Sequence, residues 1–266
     1  MKKKAISFLL LAVLLFTING CAKNFHDAKE SGSGNTQPNA AVTTMRVIPI
    51  LPETPYVTNA YVYESSKPGP AVIIVGGVHG NEPAGSLAAQ KFCEIPVLKG
   101  TLIVVPRANA TALAANVRTL PEVGDINRAY PGKQDGTQAE KISFAIVQLM
   151  KQYKVNMVVD LHEGYAFNAL DSKSVGETIL PGKDDTSVLL AMDAVEAINQ
   201  KIKEPYKRFS VLANPIVGST AHYANSYLKV PAFTVETSDK QALDDRVEYS
   251  FQIAKFLISS QGVIEK

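Results

Sequence analysis

Two short stretches hold residues whose types and spacing could bind a metal ion. Gly76-Gly77-Val78-His79-Gly80-Asn81-Glu82-Pro83 sets an imidazole and a carboxylate three residues apart on a glycine-rich bend, close enough to chelate one ion from a tight turn or a first helical turn. Asp160-Leu161-His162-Glu163-Gly164 closes a second apolar run with another imidazole. The chain has four histidines, His26, His79, His162 and His222, and two of them directly follow apolar runs. Two imidazoles and one carboxylate, with a fourth position open to water, make a catalytic zinc set. An isolated His-x-x-Glu is common beside solvated turns; the second strand-end histidine is what gives the pattern weight.

Strands must deliver these side chains. Residues 71–78, 101–105 and 155–161 contain the nearly continuous apolar runs VIIV, LIVV and VNMVVDL, as strands covered on both faces do. Further strands are predicted over 46–50, 56–64 and 232–235. The clearest helix is predicted over 138–153, where Thr137 and Glu140 form a capping box and Ala139, Ile142, Ala145, Ile146, Leu149 and Tyr153 recur at helical spacing. Other helices are expected over 83–93, with Pro83 in its first turn, 186–203 and 241–259. The alternation predicts an α/β fold, a mixed and largely parallel central sheet sandwiched by helices, with ligands at the carboxyl edge of the sheet. If the strands before His79 and His162 are close in that sheet, both imidazoles and Glu82 meet at one edge.

The composition is that of an ordinary globular protein: 266 residues, 46% hydrophobic, with 17 Gly and 15 Pro. A disordered or collagenous chain is excluded. Without Lys2, Lys3 and Lys4 the 27 basic residues no longer exceed the 25 acidic ones, so charge gives no argument for a nucleic-acid partner. Those lysines precede an uncharged apolar run over 5–18, the pattern of an export signal. Ile18-Asn19-Gly20-Cys21 resembles a bacterial lipobox. The expectation is a signal peptide over 1–20, a flexible tether over 21–44 lipidated at Cys21, and a catalytic domain over 45–266. The protein would then be an exported lipoprotein on the periplasmic or cell-surface face of a bacterial membrane; a plain secretory signal or an uncleaved anchor is the alternative. With Cys21 acylated, Cys93 has no partner for an intramolecular disulfide and reads as a small buried hydrophobe.

GGVHGNEPAG, ANATALAANVRTLPEVGDINRAYPG, VVDLHEG and FTVET occur in that order between Val72 and Thr237. Together they resemble the ordered motifs of zinc carboxypeptidases of the carboxypeptidase A type, and most closely the succinylglutamate desuccinylase and aspartoacylase branch. The resemblance implies a phosphorylase/hydrolase-like fold and one zinc per chain held by His79, Glu82 and His162. It further implies that Asp125 holds a ligand histidine, that Arg118 polarises the scissile carbonyl, that Asn127 and Arg128 hold a substrate carboxylate, and that Glu236 is the general base. Two departures stand out: Asn109-Ala110 replaces the frequent Asn-Pro, and only 30 residues follow Glu236, where aspartoacylases carry a further β-rich region that narrows the site. The second counts against short acyl-amino acids as substrates.

Several residues have rivals. Arg107, Arg118 and Arg128 could each be a solvated loop charge, though a planar guanidinium suits bidentate capture of a carboxylate. Glu163 is a rival base beside His162, but neighbours on a strand point to opposite faces, which counts against it unless the chain turns there. Tyr223 and Tyr227 are candidates for an assisting tyrosine. The implied reaction is hydrolysis of an amide bond in a small-molecule or peptide substrate with a free carboxylate, as an N-acyl amino acid deacylase or a carboxypeptidase. The alternatives are an esterase using the same site, or a lipid-anchored binding protein without turnover.

Overall fold

Eight strands share one sheet among the residues that this computed structural model describes, 42–266. They are β1 (Thr43–Ile50), β2 (Thr58–Ser65), β3 (Ala71–Gly76), β4 (Thr101–Val105), β5 (Met157–Gly164), β6 (Thr178–Pro181), β7 (Ser210–Val211) and β8 (Ala232–Ser238). Their order across the sheet is β1-β2-β4-β3-β5-β8-β6-β7. The central β4-β3-β5-β8 block is parallel; β2 and β6 flank it antiparallel, β1 pairs antiparallel with β2, and β7 pairs parallel with β6. This is the mixed, largely parallel sheet expected from the apolar runs, and every residue of β3, β5 and β8 is buried.

Strand alternation divides the core. Ile73, Val75 and Val158 face a cluster completed by Ile142, Ile146 and Met150 of α3 (Gln138–Gln152) and by Ala221 of the short α5 (Thr220–Tyr223). Across the sheet, α1 (Pro83–Lys91) packs on α6 (Leu243–Ser259), and α6 on α4 (Asp185–Asn199). The capping box of α3 is present: Thr137 Oγ1 accepts from the Glu140 amide at 3.3 Å and Glu140 Oε2 from the Thr137 amide at 2.8 Å. Cys93 is buried in a single 3-10 turn after α1.

Strand ends differ from the sequence-based expectation where backbone geometry overrides apolar pattern. β3 stops at Gly76, not at residue 78, because Gly77 takes a left-handed φ of 66° and turns the chain. The carbonyls of Gly76 and Gly77 then accept from the amides of Ala108 and Asn109 at 3.0 and 2.8 Å. Conversely, β5 continues to Gly164 and β8 to Ser238, because polar residues extend the ladder after the apolar runs end. The strands β6 and β7, the six-residue α2 (Ala110–Ala115) and α5 were not expected. Asn109 caps α2, accepting from the Ala112 amide at 3.2 Å, so the missing proline leaves the loop ordered by a side-chain cap. Thr43 and Thr44, expected in the tether, open β1; the signal region and Cys21 lie outside the described residues.

Gly85 seats α1 on β5. A Cβ there would lie 2.4 Å from the Leu161 carbonyl oxygen, against backbone that cannot rotate away. Gly85→Ala is expected to destabilise the fold by about 1–3 kcal/mol through overpacking, read as a lower denaturant midpoint. An unchanged midpoint would show that helix and strand are not in this close contact.

Candidate metal centre

Register brings the chemistry to one edge. The β3–β5 ladder runs to Gly76 opposite Leu161, and in the β5–β8 ladder His162 stands opposite Glu236. Alternation along β5 puts Asp160 and His162 on one face and Leu161 and Glu163 on the other. The turn after β3 lays His79 and Glu82 over the first of these faces.

The carboxylate of Glu82 bridges the two imidazoles. Its Oε1 is 2.7 Å from His79 Nδ1 and its Oε2 is 2.9 Å from His162 Nδ1, while the two Nδ1 atoms are 3.2 Å apart. All three residues are buried, and one donor atom from each lies within 4.8 Å of the others. The outer nitrogens face carboxylates of their own. His79 Nε2 is 3.1 Å from Asp125 Oδ1, the contact the family resemblance implies. His162 Nε2 is 3.1 Å from Asp160 Oδ2, an ion pair whose angle lies outside hydrogen-bond geometry. A carboxylate on Nε2 fixes tautomer and ring orientation and leaves the Nδ1 lone pair for a metal. Asp160 was missed in the sequence, although its position two residues before His162 puts both side chains on the same strand face.

Ionisation follows from these contacts. Burial works to raise the Glu82 carboxyl, but the hydrogen bonds and charges of His162 and His79 outweigh it and hold it well below the usual carboxylate range. Asp125 is held down at about 2, its burial overcome by His79 and Arg118. Burial disfavours charged His162, yet Asp160 and Glu82 push its pKa well above the ordinary histidine value. Glu236 is pushed up to about 8, first by burial and then by Glu82 and Asp160, with His162 and Arg118 opposing. The donor set therefore fits zinc: two imidazole nitrogens and a carboxylate converge, outer carboxylates orient the rings, and a divalent cation would offset the local negative charge.

A cavity of about 480 Å³ opens over this cluster, with His79, Glu82, His162, Glu236, Arg118, Asn127 and Arg128 in its wall. Arg118 Nη1 is 3.0 Å from Glu82 Oε1, and Nη2 is 3.6 Å from Asp125 Oδ2. Asn127 and Arg128 sit on a 3-10 turn (Ile126–Arg128) that Asp125 caps, accepting from the Asn127 amide at 2.8 Å. Arg128 Nη1 donates to the Asn127 carbonyl at 2.8 Å, and Asn127 Oδ1 is buried with no hydrogen-bond partner. Arg107 does not line the cavity, and neither do Tyr223 and Tyr227, whose rings stack on each other at 5.4 Å. The tyrosine in the wall is Tyr165, whose hydroxyl donates to Asp171 Oδ2 at 3.1 Å.

Glu163 also lines the cavity, but strand alternation turns its carboxylate to the α1 and α6 side. There it accepts from the Ala84 amide at 2.6 Å and pairs with Arg246. That geometry leaves Glu236 as the carboxylate directed at the histidine face.

The family model for the succinylglutamate desuccinylase/aspartoacylase catalytic domain matches residues 68–244. Over 100 residues the chain is 36% identical to an N-alpha-acetyl-L-2,4-diaminobutyric acid deacetylase of Halomonas elongata, a stretch that covers 36% of this chain and 29% of that protein. The mDAP-bound form of Helicobacter pylori Csd4, a D,L-carboxypeptidase, superposes with a TM-score of 0.66 at 24% identity, over 73% of this chain and 51% of that one. An aspartoacylase family protein of Mesorhizobium loti gives 0.62 at 19% identity, over 84% and 68%. The chain thus spans under a third of the curated relative and about half of Csd4. At these identities the solved structures speak to the fold alone.

Asp125→Asn and Asp160→Asn are each expected to weaken zinc binding about 10- to 100-fold, as loss of a ligand-orienting carboxylate does. Competition with a chromophoric chelator measures it. Wild-type affinity in both variants would contradict the orienting role.

Proposed function

Because the chain belongs to the succinylglutamate desuccinylase/aspartoacylase catalytic-domain family, we propose that it is a zinc-dependent hydrolase of an amide bond next to a free carboxylate. The observation that carries this reading is the register of β5 and β8, which sets Glu236 opposite His162 of the His79–Glu82–His162 cluster, all four in the wall of one cavity. A zinc ion bound by those three residues would supply an electrophile for the carbonyl oxygen and lower the pKa of a water towards about 7.

The remaining work falls to the chain's own side chains. Arg128 and Asn127 hold the substrate carboxylate, the guanidinium by paired hydrogen bonds and the amide from a rigid capped turn. Arg118 stands beside Glu82 in the cavity wall, placed to donate to the oxygen on which negative charge develops. Glu236 accepts the proton of the attacking water and returns it to the leaving amine. Exposed Tyr165 and Ile216 in the cavity wall favour an extended, partly apolar acyl side, and so peptides over short acyl groups. The similarity to an N-alpha-acetyl-L-2,4-diaminobutyric acid deacetylase supports hydrolysis of an N-acyl bond.

We also assign the protein to the outer side of a bacterial membrane, held by lipid on Cys21. Support comes from Lys2–Lys4, the apolar run over 5–18 and the Gly20-Cys21 junction.

Glu236→Gln keeps the shape and removes the proton acceptor. Its kcat on peptides with a free C-terminal carboxylate is expected to fall about 100- to 10,000-fold with zinc content intact. Arg128→Ala is expected instead to raise KM for the same peptides. Near-normal turnover by Glu236→Gln, with loss in Glu163→Gln at intact zinc content, would reassign the base.

A further inference from the structure

Helix α1 begins immediately after a residue that cannot serve it. Glu82 occupies the N-cap position but makes no side-chain capping bond, since its carboxylate lies between the two imidazoles. Pro83 has no N–H, so the Ala84 amide is the first free donor of the helix and would be orphaned at a buried end.

Glu163 fills that role from another element. Its Oε1 accepts from the Ala84 amide at 2.6 Å, and its own amide donates to Glu82 Oε2 at 3.2 Å. One residue of β5 therefore grips both the helix start and the ligand carboxylate. The Glu163 side chain is 1% exposed, and its Oε2 pairs with Nη1 of Arg246, itself only 13% exposed. A carboxylate that deep needs a paired cation to offset its burial and to hold its orientation. Arg246 lies in α6, just past residue 244, where the family match ends.

We propose that Arg246 and Glu163 are positioning residues for the metal centre: Glu163 caps α1 in place of Glu82, Arg246 holds Glu163, and the pair fixes the Glu82 carboxylate between His79 and His162. This rests on the zinc reading of the site. Neither residue touches substrate in this role; both act through Glu82. The absence of a self-cap at α1 is then a consequence of using the N-cap side chain as a ligand, and α6 becomes a structural support of the centre.

The test is zinc affinity by chelator competition on the full chain, with circular dichroism to confirm folding and with His79→Ala as control. Arg246→Met is expected to weaken zinc binding about 10- to 100-fold. Arg246→Lys, which keeps the charge, is expected to recover most of it. A merely structural role would lower the melting temperature of zinc-free protein while leaving the affinity of the folded protein at the wild-type value, and that result overturns the proposal. If Arg246→Met does not fold, Glu163→Gln decides: weakened zinc binding supports the pair and wild-type affinity overturns it. Failure of the wild-type protein to bind zinc more tightly than His79→Ala would sink the zinc reading itself, a result distinct from either.

Discussion

A buried carboxylate is costly unless paired, and Glu82, Asp160 and Glu236 are all buried around one sheet edge, with Asp125 close by. Against them stand two imidazoles and the half-exposed Arg118. Burial first, and then the charges of Glu82 and Asp160, push the Glu236 carboxyl up to about 8. A divalent cation held by His79, Glu82 and His162 would offset these charges, and the surrounding contacts hold those three side chains in place. The outer imidazole nitrogens have their own carboxylates, Arg118 pairs with Glu82, and β5 and β8 end together at Gly164 and Ser238.

The faces of β5 separate chemistry from support. Asp160 and His162 share the face of β5 that carries the histidine cluster, while Leu161 and Glu163 look towards α1 and α6. Gly85 lets the α1 backbone approach Leu161, and Glu163 then meets the amide of Ala84. The ligand turn is thus held by close packing on one side and by ion pairing on the other. A change in α6 can reach the centre without passing through the cavity.

Much of this was legible in the sequence. VIIV and LIVV announce buried parallel strands because no polar residue interrupts them, VVDL because only Asp160 does, and His79 and His162 stand out by following such runs. What was not legible has physical reasons. β6 and β7 are four and two residues long, too short for any period to show. β5 and β8 outlast their apolar runs because hydrogen bonding to each other, not hydrophobicity, continues them through His162, Glu163 and Thr237. Asp160 could have been read from its spacing to His162. The Arg246–Glu163 pair could not, because 83 residues of chain separate its members and only the packing of α6 brings them together.

The anomalous signal at the zinc absorption edge, measured on crystals of the zinc-loaded protein, tests the central claim most directly. The expected result is one peak per chain, bounded by His79 Nδ1, His162 Nδ1 and the Glu82 carboxylate. The absence of a peak there, or a stronger one elsewhere on the chain, would contradict it.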